Sequence, residues 1–77
     1  MVIYNDDVTP FIFVIAVLKT VFLMSNADSI SKTQEAQDKG SAVVGVYPKS
    51  IAEAKVKICL DAAKIQKYPF RVEMERE

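Results

Sequence analysis

The chain has 77 residues, about half of a common ~150-residue domain, which leaves no room for two domains flanking a deep catalytic cleft. Ten Lys and Arg balance ten Asp and Glu, and the basic residues are scattered (Lys19, Lys32, Lys39, Lys49 and Lys55 among them), so no basic stripe for nucleic acid is present. No histidine and a single cysteine exclude a disulfide framework, Cys/His zinc ligation and Ser-His or Cys-His nucleophilic catalysis, so composition argues against an enzyme and predicts neither cofactor nor metal.

Half of the sequence is hydrophobic (51%), enough for a compact core, although a chain this short buries only roughly 60% of its unfolded surface. Val2–Tyr4 is β-branched and aromatic and stops at Asn5-Asp6-Asp7, a run that favours Asx-turns; a first strand is expected. Thr9-Pro10 reads as an N-cap followed by proline at the first helical position, opening a helix from Pro10 to about Leu23. Its apolar residues cover most of the circumference, which predicts a central helix packed on several sides. Ser25 caps a second helix, Asn26–Lys39, with Asp28 facing the positive end of its dipole and Gly40 closing it. That helix is a weak amphipath, apolar only at Ala27, Ile30 and Ala36, with Thr33, Gln34 and Gln37 where aliphatic anchors would normally stand.

Ser41–Tyr47 predicts a second strand. After Pro48-Lys49, Ser50-Ile51-Ala52-Glu53 has the form of a capping box and opens a third helix to about Lys67. Its stripe of Ile51, Ala54, Ile58, Ala62 and Ile65 is expected to face the core, with Glu53, Lys57, Asp61 and Lys64 solvated opposite. Cys59 is expected to be a small buried hydrophobe. Phe70–Met74 completes the chain as a last strand with a charged tail. The reading is one α/β domain of the α+β type over residues 1–77: a two-layer sandwich in the order β-α-α-β-α-β, its three-stranded sheet covered by three helices on one face. The run Pro10–Leu18 is too short to cross a bilayer, which takes about 20 residues, so no membrane association is expected. Met1–Asp7 lacks the pattern of a signal peptide, and one cysteine fits a reducing compartment, the cytoplasm.

The stretch VIYNDDVTPFIFVIAVL resembles the opening of the ClpS adaptor family: an apolar strand, Asn-Asp-Asp, one variable residue, Thr-Pro and an apolar helix. Gly40–Tyr47 resembles that family's glycine-led second strand, and Ser50–Ala63 its third helix, so the similarity covers nearly the whole chain in register. The resemblance implies an adaptor that binds the N-terminal residue of a degradation substrate, bulky and hydrophobic (Phe, Tyr, Trp or Leu), and delivers it to a Clp ATPase-protease through the ATPase's N-terminal domain. A free α-ammonium offers three N–H donors and needs converging acceptors, at least one of them charged. Carried over by position, Asn5, Asp6 and Gln37 hold the amine with Thr9 nearby, while Phe11, Val14, Thr33 and Ala36 line the side-chain pocket.

This chain departs from the family pattern in Gln37, where the family has histidine, and in Phe11 and Thr33, where it has methionines. Phe11 is expected to narrow the mouth and Thr33 to make one wall polar. Asn5-Asp6-Asp7 with Thr9 has a second reading, an Asx-turn leading into a capped helix with no ligand. Lys55 matches a lysine that family members use against the protease; a solvated lysine is the plain alternative. Family adaptors usually carry a flexible extension before the first strand, and this sequence starts at the strand. Ile12, Ala16 and Leu23 predict an apolar patch on the first helix, either a self-association face or a surface covered by neighbouring chain. The competing function is a protein–protein interaction domain on the same scaffold without N-terminal residue recognition, comparable to the factor-binding C-terminal domain of the ribosomal stalk protein.

Overall fold

A computed structural model describes residues 1–74; the charged tail expected after the last strand lies outside the described residues. The elements follow the expected order: β1 (Val2–Tyr4), α1 (Phe11–Thr20), α2 (Asn26–Lys39), β2 (Ser41–Val43), α3 (Lys49–Gln66) and β3 (Arg71–Glu73). The sheet is antiparallel, with β1 at its centre in the order β2-β1-β3. Ile3 stands opposite both Ala42 and Val72, and because alternate residues of a strand share a face these three form the floor of the core, all buried. Full burial of Ile3 and Leu18 stabilises the fold by about 1.5–3 kcal/mol each.

Both ends of α2 fall where the sequence puts them. The Ser25 hydroxyl accepts from the Asp28 N–H (3.1 Å), and Gly40, at φ +89°, takes the left-handed conformation that ends the helix and costs glycine little. Its inner face is not apolar, however. Ser29, Thr33 and Ala36 are buried while Ala27 and Ile30 are exposed. Ser29 and Thr33 are tolerated inside because their hydroxyls donate back to the Asn26 carbonyl (2.8 Å) and the Ser29 carbonyl (2.7 Å), so no donor is left unpaired.

The first helix departs from expectation at both ends and in its packing. Pro10, still extended at ψ 143°, occupies the capping position expected for Thr9. The helix stops at Thr20 rather than Leu23, because Leu23 adopts a positive φ of 55° and the Met24 N–H turns back to the Leu18 carbonyl (3.1 Å). Nor is α1 surrounded: only Val14, Val17 and Leu18 are buried. Ile12 is 76% and Leu23 82% exposed, and Ala16 is exposed with them. All three residues of the expected patch are therefore exposed among the described residues.

The third helix also corrects the sequence reading. It starts at Lys49 with Pro48 as its cap and no side-chain cap bond, so Ser50 lies inside the first turn and the capping box does not form. Its packed face is Ala52, Cys59 and Ala63, with Val56 partly buried. The expected stripe is turned outward instead, Ile51 and Ile58 being half-exposed and Ile65 78% exposed. Lys67, at φ 61°, ends the helix. Beyond it Tyr68 and Phe70 meet Phe13 edge-on, with ring centroids 5.0 and 5.9 Å apart, which ties α1 to the entry of β3. β2 and β3 are shorter than the sequence implies, whereas β1 keeps its expected bounds. Past Val43, pairing continues only as the Val44 N–H to the Met1 carbonyl (2.9 Å) and the Met1 amine to the Gly45 carbonyl (2.6 Å).

Lys55 is drawn into this framework. Its ammonium donates to the Val21 carbonyl just past α1 (2.6 Å) and lies over the rings of Phe22 (5.5 Å) and Tyr47 (4.9 Å). A cation there opposes the negative end of the α1 dipole and gains from both ring faces. The Tyr47 ring in turn covers Gly45, where a Cβ would come within 2.7 Å of it. Cys59 is fully buried as expected; burial pushes its thiol up to about 11, against the opposing influence of the Lys55 charge. Replacing Lys55 by Met should destabilise the protein by about 1–2 kcal/mol in urea denaturation. The same change at Lys57, whose partner Asp61 is also exposed, should stay within about 0.5 kcal/mol.

Candidate functional site

The link between β1 and α1 is held against the end of α2 by chain geometry. Because β2 starts directly after Gly40 and pairs with β1, the residues leaving β1 emerge beside the last turns of α2. The Asn5 N–H closes the join on the Gly40 carbonyl (3.0 Å). Asn5-Asp6-Asp7 thus faces Thr33, Gln34, Ala36 and Gln37 across an open cavity of about 500 Å³.

Within the link, Asp6 organises the backbone. One carboxylate oxygen accepts from the Val8 N–H (2.9 Å) and the Thr9 N–H (2.6 Å), and the other from the Thr9 hydroxyl (2.7 Å). This is the Asx-turn of the second sequence reading, with the difference that Thr9 is a donor to Asp6 and not the helix cap. The cap is Pro10, whose carbonyl accepts the Phe13 N–H (3.1 Å) and the Val14 N–H (3.4 Å). Burial alone would raise the Asp6 carboxyl, but the Thr9 N–H, the Thr9 hydroxyl and the Val8 N–H outweigh it and hold the group below its ordinary value of 3.8.

Every residue singled out for ligand binding, Asn5, Asp6, Thr9, Phe11, Val14, Thr33, Ala36 and Gln37, lines this one cavity. Ile3, Tyr4, Asp7 and Gln34 complete the lining and were not anticipated. Ile3 and Tyr4 precede the acidic run in β1 and Gln34 adjoins Thr33, so proximity in sequence is the signal that could have found them. The buried part of the wall is Ile3, Val14, Thr33 and Ala36, with Phe11 at 39% exposure nearer the mouth. Gln37 is exposed, and the Gln34 amide donates to Asp38 (2.9 Å).

The two carboxylates differ. Asp6 already accepts from the turn it holds, whereas no hydrogen bond or ion pair among the described residues reaches Asp7. The negative charge most available to a ligand in the cavity is therefore that of Asp7, a residue the sequence reading passed over in favour of Asp6. The polarity expected of Thr33 is likewise reduced, since its only hydrogen is donated to the Ser29 carbonyl. Lys55, expected to face a partner, has its ammonium turned inward instead.

Among the described residues no group of His, Cys, Asp and Glu is arranged to hold a metal ion, and no helix is long and apolar enough to cross a membrane. The depressed Asp6 carboxyl stabilises the fold above its unfolded value of 3.8, and that contribution disappears as pH falls through the lower folded value. Asp6→Asn should therefore cost about 1–2 kcal/mol near pH 7 in urea unfolding, and the gap to the wild-type protein should shrink steadily below about pH 4.

Comparison with known proteins gives this arrangement a lineage. Residues 1–73 match the family described as ATP-dependent Clp protease adaptor protein ClpS. The ATP-dependent Clp protease adapter protein ClpS of Nautilia profundicola is 43% identical over 75 residues, covering 97% of this chain and 77% of the relative. That of Ruegeria pomeroyi is 39% identical over 77 residues, covering 100% and 68%. Among solved structures, Agrobacterium tumefaciens ClpS2 bound to L-phenylalaninamide superposes with a TM-score of 0.94 at 41% identity, covering 99% of this chain and 92% of that one. With the family description matched over residues 1–73 and the fold shared with a solved member, the chain belongs to the ClpS family, adaptors of the ATP-dependent Clp protease and not enzymes.

Proposed function

We propose that this adaptor captures peptides by their free N-terminus, favouring a bulky hydrophobic first residue (Phe, Tyr, Trp or Leu), and brings them to a Clp ATPase. The observation that carries this reading is the cavity of about 500 Å³, which joins an apolar wall to two carboxylates. Such a shape fits a ligand whose ammonium group and apolar side chain are carried on the same carbon. L-phenylalaninamide, the compound in the Agrobacterium tumefaciens ClpS2 structure, has this chemistry.

In this reading Asp7 supplies the free charge for the amine, with Asn5 and the carbonyl of Gln37 as further acceptors. Asp6 keeps the link in shape and adds its charge from behind. Phe11 and Val14 on one side, and Thr33 and Ala36 on the other, receive the side chain. An amine in a partly dry site bound by a charged acceptor gains a short, charge-assisted hydrogen bond, while the aromatic or aliphatic group removes apolar surface from water. Both parts are needed, which is why an acetylated peptide should fail.

Fluorescence anisotropy with short peptides differing only in their first residue, beside an N-acetylated control, tests the reading. Binding of Phe-led free-amine peptides and none of the acetylated form is expected; equal binding of the two would reduce the protein to an interaction domain without N-terminal recognition. Asp7→Asn should weaken binding at least tenfold at unchanged thermal stability, whereas Asp6→Ala should lower both affinity and stability. Since the chain has no histidine, affinity should be flat from about pH 5 to 7 and fall as the peptide amine, of pKa about 7.7–8.0, loses its proton. A pull-down with a Clp ATPase N-terminal domain tests delivery separately.

A further inference from the structure

We propose that Thr33 selects among first residues by accepting a hydrogen bond, so that side chains with a donor at their far end, Tyr and Trp, are favoured over Phe and Leu. The inference rests on the reading of the cavity as a pocket for an N-terminal residue and adds a chemical preference to it.

The cavity has a wet mouth and a dry interior. Asn5, Asp7 and Gln37 at the mouth are exposed. The buried lining residues are Ile3, Val14, Thr33 and Ala36, and of these only Thr33, itself 4% exposed, carries a polar side-chain atom. Its hydroxyl hydrogen is already committed to the Ser29 carbonyl at 2.7 Å, and no described residue donates to its oxygen. A hydroxyl oxygen has two lone pairs, so Thr33 enters any ligand contact as an acceptor and not as a donor.

That one-sided capacity discriminates. Carrying a phenol or indole donor into an apolar interior costs free energy unless an acceptor meets it there, and in this interior Thr33 is the side chain able to do so. A phenyl or isobutyl group brings no donor and leaves the Thr33 oxygen with the internal bond it already has. The neighbours of Thr33 on the buried face of α2, Ser29 and Ala36, are small.

The test is anisotropy with four free-amine peptides, identical except for Phe, Leu, Tyr or Trp at the first position, on the wild-type protein and on Thr33→Val, Thr33→Ala and Thr33→Ser. For the wild type, Tyr and Trp should bind more tightly than Phe. In Thr33→Val the Tyr-to-Phe and Trp-to-Phe affinity ratios should fall roughly tenfold. Thr33→Ser, which keeps the oxygen, should retain the wild-type order, and Thr33→Ala reads the same ratio should the Val variant fold poorly. An unchanged Tyr-to-Phe ratio on removal of the oxygen overturns the proposal and leaves the pocket reading standing. Failure of the wild type to bind any of the four peptides overturns both.

Discussion

The short antiparallel pairing of β1 with β2 is the constraint on which the remaining geometry depends. Gly40 reverses the chain in a left-handed conformation as α2 ends, so β2 begins at once, and its register with β1 sets Tyr4 opposite Ser41. The residues following Tyr4 then have one place to go, alongside the C-terminal half of α2. An acidic link and a helix face far apart in sequence become the two sides of one cavity through this single turn, without any long loop. A side chain at position 40 would have to hold the same positive φ against its own Cβ, at a cost of roughly 1 kcal/mol, and the strain would sit at the join between sheet and site.

A core this small is built largely from small residues. Ser29, Thr33 and Ala36 on α2, and Ala52, Cys59 and Ala63 on α3, are the side chains turned inward, and large groups from α1 and the segments around it (Val14, Leu18, Phe22, Phe70) fill the space between. The hydroxyls among them are harmless inside because each donates to its own helix backbone. The same economy leaves aliphatic side chains outside, on α1 and on α3, in an arrangement that a larger domain would cover with another layer.

How far the sequence discloses this depends on whether a signal is local. The limits of α2 are written in Ser25, Asp28 and Gly40, each acting on backbone within one turn, and they hold. The link and the residues around the cavity are legible because the resemblance fixes their register as a block. The orientation of α3 is not, since two stripes compete for the core: isoleucines at 51, 58 and 65, and small residues at 52, 59 and 63. Hydrophobicity prefers the first; the space available beneath the helix admits the second. In the link, Asp6 and Asp7 are indistinguishable by type, and only the backbone path decides which one turns back on Val8 and Thr9 and which stays free. Thr9 and Pro10 show the same limit, as either order of cap and first turn satisfies the local rules.

The fully buried thiol has a practical side. With Cys59 pushed up to about 11, its thiolate fraction at neutral pH is on the order of 10⁻⁴, and no solvent path leads to the sulfur in the folded chain. Labelling of the native protein by a maleimide should therefore be slow. A single cysteine introduced at an exposed position such as Asp61 would take a fluorophore alone, with no need to remove the native residue and disturb the packed face of α3.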